Sequence, residues 1–160
     1  MQYTLNRSNY RDFQKFEEAV LPARAYFIPY TDKAALSATD ACTERYGSDL
    51  VKVLSGDDWS FKYYDKTALL PTEFDTEQVQ FDTVTIPSTW QRTGYRPPVY
   101  LNSRYEFHLM PPDLPKELSV GVYRKAFSVE NTEKQYILSF LGVAPCIDVY
   151  VNGTYVGYSE

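Results

Sequence analysis

The sequence predicts an all-β protein, an antiparallel β-sandwich of about eight short strands and possible jelly-roll form. Three observations point there. From residue 49 onward, apolar residues recur with period two in short runs bounded by turn-forming residues. Asn152-Gly153 sits between two such runs, the pattern of a two-residue hairpin turn. Aromatic residues make up 16% of the chain, with 15 tyrosines, and they suit a pleated surface better than a helix.

Each element is read in order. In "NYRDFQKFEEAV", Phe13, Phe16 and Val20 give one short helical face before Pro22. "ARAYFIPY" alternates Tyr26, Ile28 and Tyr30, but Pro29 demotes it to an edge or loop-like piece. Residues 31–48 are small and polar and read as a loop with one helical turn. Residues 1–48 therefore form an extended, irregular N-terminal segment, and residues 49–160 form the sandwich. "DLVKVL" and "WSFKYY" are strands joined by the turn "SGDD", with Trp59, Phe61 and Tyr63 on one face. "ALLPTEFDTEQ" is an irregular excursion. "FDTVTI" is a strand, "YEFHLM" an extended piece and "PPDLPKEL" a proline-rich loop. "GVYRKAFSV" alternates. "QYILSFLGV" is nearly continuous apolar, as a strand buried on both faces is. "IDVYVNGTYVGY" closes the series as the hairpin.

The remaining stretch, "IPSTWQRTGYRPPVYLN", fits neither period, yet it holds Trp90, Tyr95 and Tyr100 with three of the ten prolines. Rings in such density serve either packing or a surface that stacks on sugar rings.

Bulk properties narrow the function. A length of 160 residues fits one domain with its own core. A net charge of −5 argues against nucleic acid, whose phosphates need a basic face. The first twenty residues carry no apolar secretory core, and no run is long enough to span a bilayer, so a cytoplasmic location is expected. Cys42 and Cys146 could form one disulfide, but free thiols fit that location better.

Catalytic motifs are scarce. His108 is the only histidine and there is no Cys-x-x-Cys, so no metal site is expected. There is no Gly-x-Ser-x-Gly and no phosphate-cradling glycine loop. Glu17-Glu18 and Asp57-Asp58 are adjacent pairs, and neighbours in a strand point apart. Asp57-Asp58 reads as turn chemistry. No catalytic residue is assigned.

The loop itself carries a resemblance. "IPSTWQRTGYRPPVYLN" is similar to the Pro-Ser-x-Trp-Gln-x-x-Gly-Tyr-x-x-Pro-x-Tyr-x-Asn signature of family 2 β-galactosidases, matching at Pro87, Ser88, Trp90, Gln91, Gly94, Tyr95, Pro98, Tyr100 and Asn102. "PARAYFIPY", "LSGDDWSFKYY", "PPDLP", "GVYRKAF" and "VYVNGTYVGYS" resemble the same family in the same order. Departures are Arg96, where the family often has Asp, and Leu101 and Ser103.

The resemblance implies a galactose-binding-domain-like jelly roll, the N-terminal sugar-binding domain, here incomplete at its C-terminal end. It implies that the acid/base and nucleophile glutamates of a retaining hydrolysis lie on a separate (β/α)8 barrel. The isolated chain is then expected to be inactive. Asn102 is the implied substrate-binding residue, offering amide donors and an acceptor to galactosyl hydroxyls. Trp90, Gln91, Tyr95 and Tyr100 would support its loop. Mg2+ and Na+ are implied for the complete enzyme and no cofactor for this chain. Implied partners are a β-galactoside such as lactose, the remaining domains and further copies in a homo-oligomer, with neither nucleic acid nor membrane. A free-standing carbohydrate-binding module and a structural interaction domain are the alternatives.

Overall fold

A computed structural model of the chain describes residues 1–5, 8–40, 42–98, 113–115 and 118–160. Its described strands are β1 Gln2–Thr4, β2 Glu17–Glu18, β3 Gly56–Tyr64, β4 Glu73–Asp75, β5 Asp82–Ile86, β6 Val120–Arg124, β7 Ile147–Val151 and β8 Thr154–Ser159. They form antiparallel sheets in the orders β1-β4, β2-β8-β7 and β5-β3-β6. The chain is all-β, as its periodicity requires. Among the described residues the α-helical content is α1, Lys33–Ala38, capped by the Asp32 carboxylate, which accepts from the Ala35 amide at 2.8 Å. No helix among them is long and apolar enough to cross a membrane.

The central sheet grows from β3. Phe61 is only 1% exposed and stands opposite Tyr123 of β6 and Asp82 of β5. Tyr63 follows two residues later and so faces the same way. Val84 of β5, Leu70, Phe74 of β4 and Tyr158 of β8 complete the buried apolar set. The hairpin β7–β8 turns at Asn152 (φ 49°) and Gly153 (φ 87°), the left-handed pair that the Asn-Gly turn demands. Cys42 and Cys146 are free thiols.

Several sequence expectations need correction. "DLVKVL" is no strand: the Leu50 amide donates to the Ser48 hydroxyl at 3.1 Å and the Val51 amide to the Ser48 carbonyl at 3.2 Å. This local turn takes the backbone groups that a ladder needs. Asp57-Asp58 lies inside β3, within the register shift between Gly56 and Trp59, and not in a turn. "ALLPTEFDTEQ" contains β4, which pairs with β1, and within the stretch read as a short helical face Glu17-Glu18 is β2. Both partners are too short for a period to show. β6 ends at Arg124, so residues 125–129 leave the ladder.

The largest reversal is "QYILSFLGV". It is irregular, with Ile137 59% and Leu141 62% exposed where burial on both faces was expected. Continuous apolar sequence asks for burial but does not supply a partner, and no described strand pairs with it. The extended piece expected at 105–110 lies outside the described residues.

The N-terminal segment is tied to the hairpin by polar groups. The Asn9 side chain, 3% exposed, donates to the Asp148 carboxylate at 2.5 Å and to the Tyr155 hydroxyl at 2.9 Å. Lys15 donates to the Asn9 side-chain oxygen at 3.0 Å and pairs with Glu18, and Tyr155 donates to Glu18 at 3.0 Å. Burial raises the Asp148 carboxyl above its ordinary value, opposed by the Asn9 bond and the Lys15 charge and assisted by the Glu18 charge.

A carboxyl whose pKa rises on folding adds stability below its unfolded value and loses it as pH rises through the folded one. Asp148→Asn keeps an acceptor for Asn9 without the charge. It is expected to raise the melting temperature at neutral pH, with the gain gone below the ordinary carboxyl value of 3.8. Thermal melts of both proteins across that range check this. A variant less stable at neutral pH contradicts it.

Candidate functional site

The loop after β5 is built on itself before it meets the sheet. Amides of Arg92 and Thr93 donate to the Thr89 carbonyl at 3.0 and 3.2 Å, and the Tyr95 amide donates to the Trp90 carbonyl at 3.0 Å. Gly94 sits at φ 86°, where a Cβ would be strained. This tight turn brings Trp90 and Tyr95 back toward the face of the central sheet that carries Phe61 and Tyr63.

Both rings land there. Tyr95 packs edge-on against Phe61, with centroids 4.7 Å apart, and lies 5.8 Å from Tyr63. Trp90 meets Tyr63 edge-on at 5.3 Å, and Phe61 lies 4.5 Å from Tyr123. Gly121 makes the room. A Cβ there would stand 2.7 Å from Phe61 Cε2 and 3.1 Å from Trp90 Cζ2.

Each polar tip of the cluster also finds a partner. The Trp90 indole N–H donates to the Tyr123 hydroxyl at 2.7 Å, and the Tyr95 hydroxyl donates to the Asp82 carboxylate at 2.9 Å. Burial pushes the Tyr95 phenol above its ordinary value and the Asp82 bond adds to the rise. Burial also raises Tyr123, against which the Trp90 N–H works by favouring the phenolate. Further along, the Arg96 guanidinium donates to the Ser119 hydroxyl at 2.8 Å.

Of the residues marked in the sequence, Trp90 and Tyr95 come together on the sheet. Gln91 is exposed on the turn. Tyr100, Asn102 and His108 lie outside the described residues. Tyr63, Asp82, Ser119 and Tyr123 were not singled out as site residues. Tyr63 and Tyr123 were legible only as strand-face rings, while Asp82 and Ser119 are ordinary polar residues until a loop folds onto them.

Among the described residues, no three His, Cys, Asp or Glu side chains gather to hold a metal ion. Glu17 and Glu18 are exposed on β2, and Asp58 is paired with Lys125. An open depression near the N-terminus is lined by Ser8, Asn9, Arg11, Asp12 and Lys15, none of them a residue that the motif marks.

Residues 51–160 match the family described as glycosyl hydrolases family 2, sugar binding domain. The chain belongs to that family. The matched range contains the central sheet, the aromatic loop and the hairpin, so the sugar-binding domain of family 2 is an all-β unit here as elsewhere. The chain is 36% identical over 138 residues to a beta-galactosidase of Actinobacillus pleuropneumoniae, an alignment covering 85% of this chain and 13% of that protein. A beta-galactosidase of Staphylococcus xylosus is 31% identical over 143 residues, covering 88% of this chain and 14% of the relative. One from Alteromonas mediterranea is 32% identical over 124 residues, covering 72% and 12%. The chain thus spans about 13% of the length of the curated relatives that it matches.

Filling the Gly121 gap of this family 2 domain tests the cluster. Gly121→Ala is expected to destabilise by about 1–3 kcal/mol, since backbone or rings must move. Tyr123→Phe, which removes one acceptor at a 39% exposed residue, is expected to cost only about 0.5–1.5 kcal/mol. Urea unfolding followed by fluorescence ranks the two, and equal stability of Gly121→Ala and parent contradicts the packing account.

Proposed function

We propose that this chain is the sugar-binding part of a β-galactosidase acting on terminal non-reducing β-D-galactosides. Its loop forms one wall of the sugar pocket, with Asn102 as the residue that contacts the galactosyl hydroxyls. The observation that carries this reading is the loop itself. It matches the family 2 signature from Pro87 to Asn102, and its described part is fastened to the central sheet by Trp90 and Tyr95.

The chemistry is divided. A retaining glycosidase needs two carboxylates about 5–5.5 Å apart around one bond. In this reading the catalytic domain of the complete protein supplies them. This chain supplies binding energy and orientation. A carboxamide suits that task because it donates twice and accepts through its oxygen, while a sugar hydroxyl both donates and accepts. Contacts remote from the broken bond raise the rate when they tighten in the transition state.

The aromatic rings support the wall over a free-standing module. A stacking platform presents flat faces to solvent, whereas Trp90 and Tyr95 are turned onto Phe61 and Tyr63 and bonded through their polar tips.

The test grafts this chain in place of the matching region of the Actinobacillus pleuropneumoniae relative. The graft is expected to hydrolyse a chromogenic β-galactoside. Asn102→Ala should then lower kcat/KM roughly 10- to 100-fold, the loss of one or two hydrogen bonds in the bound state. An active graft indifferent to Asn102→Ala removes the contact role. Turnover by the 160-residue chain alone, above a blank, removes the division of labour. Millimolar or tighter galactose binding by that chain in calorimetry favours the module instead.

A further inference from the structure

The Ser119 hydroxyl is used to capacity. It accepts from the Tyr63 hydroxyl at 2.8 Å and from the Arg96 guanidinium at 2.8 Å, and it donates to the Asp65 carbonyl at 3.0 Å. A serine hydroxyl has one donor and two acceptor sites, so all three are engaged. The partners come from three places: Tyr63 from β3, Asp65 from the turn that ends β3, and Arg96 from the aromatic loop. Tyr63 is also the ring on which both Trp90 and Tyr95 rest.

We propose that Ser119 is a positioning residue. It joins Arg96 to Tyr63 and Asp65, and so fixes the described part of the loop on the sheet ahead of the residues that lead in sequence to Asn102. What the loop is for rests on the sugar-wall reading above. That the loop is held in this way does not.

The arrangement has a consequence for Arg96. An Asp at this position would bring acceptors only. Ser119 could then bond to it only by giving up the Asp65 carbonyl. An arginine donates, which leaves the Ser119 proton on Asp65 and lets the hydroxyl serve the loop and the sheet together. Arg96 and the Ser119 hydroxyl thus act as one device.

The two tryptophans allow a direct test in the full 160-residue chain. The Trp90 indole N–H is bonded to Tyr123 and exchanges with solvent deuterium when the loop lifts. The Trp59 indole N–H is bonded to the Leu54 carbonyl at 2.8 Å, a partner outside the loop, and reports on opening elsewhere. Trp59→Phe assigns the two signals. Ser119→Ala is expected to speed exchange at Trp90 by roughly two- to tenfold or more, the change that losing the single Arg96 bond to the loop makes in an opening equilibrium. Trp59 should be unaffected, and Ser119→Thr should restore the parent rate.

Arg96→Met should reproduce the effect, and it carries the test if Ser119→Ala does not fold. The double variant should fall short of the sum of the two singles, because the Arg96–Ser119 bond is lost in both. Unchanged Trp90 exchange in the folded variants overturns the proposal. So does equal acceleration at both tryptophans, which marks general loosening, and so does full additivity. A loss of the Asn102→Ala effect in the grafted enzyme with faster Trp90 exchange in Ser119→Ala removes the sugar contact and leaves the positioning role standing.

Discussion

The approach of Phe61, Trp90 and Gly121 is the constraint on which the site depends. Phe61 fills the face of the central sheet only because β6 offers it a residue without a side chain. The same gap admits the edge of Trp90. Once the indole lies there, its N–H falls on Tyr123 and its ring on Tyr63, and the loop is registered against two strands at once. A methyl group at position 121 would push back on both rings. Backbone geometry, side-chain packing and loop position are therefore set by one small residue.

The polar groups follow from that packing. An indole N–H and a phenol brought against a sheet give up water and need partners. Tyr123, Asp82 and Ser119 provide them around the rings. The N-terminal segment uses the same logic at another sheet, where Asn9 is buried and bonded to Asp148 and Tyr155. Its short strands β1 and β2 contribute little pairing of their own. Sequence-distant polar bonds hold the segment in place.

Legibility in the sequence followed the range of the forces. The Asn152-Gly153 turn, β3 and β5 were readable because alternation and turn chemistry are local. β1, β2 and β4 were not, since pairs of two or three residues leave no period. "DLVKVL" and "QYILSFLGV" misled for the opposite reason. Their apolar patterns are strong, but a strand exists only with a neighbour to bond, and periodicity says nothing about neighbours. The loop residues Trp90 and Tyr95 were legible through a motif. Ser119 and Asp82 were not, because a serine or an aspartate acquires its task only when a distant loop arrives.

Arg96 shows what the motif alone hides. Read as spacing, it falls at a position that the signature leaves open. Placed in the fold, it is a donor facing a hydroxyl with an acceptor site to fill. A long, planar, charged donor reaches from a loop to a sheet where a short carboxylate reaches less far and offers the wrong polarity. The described part of the loop is thus held by packing and pairing together. It needs its rings against the same sheet face and its polar ends paired. In this chain Trp90 and Tyr95 satisfy the first requirement, and Tyr123, Asp82 and Ser119 satisfy the second.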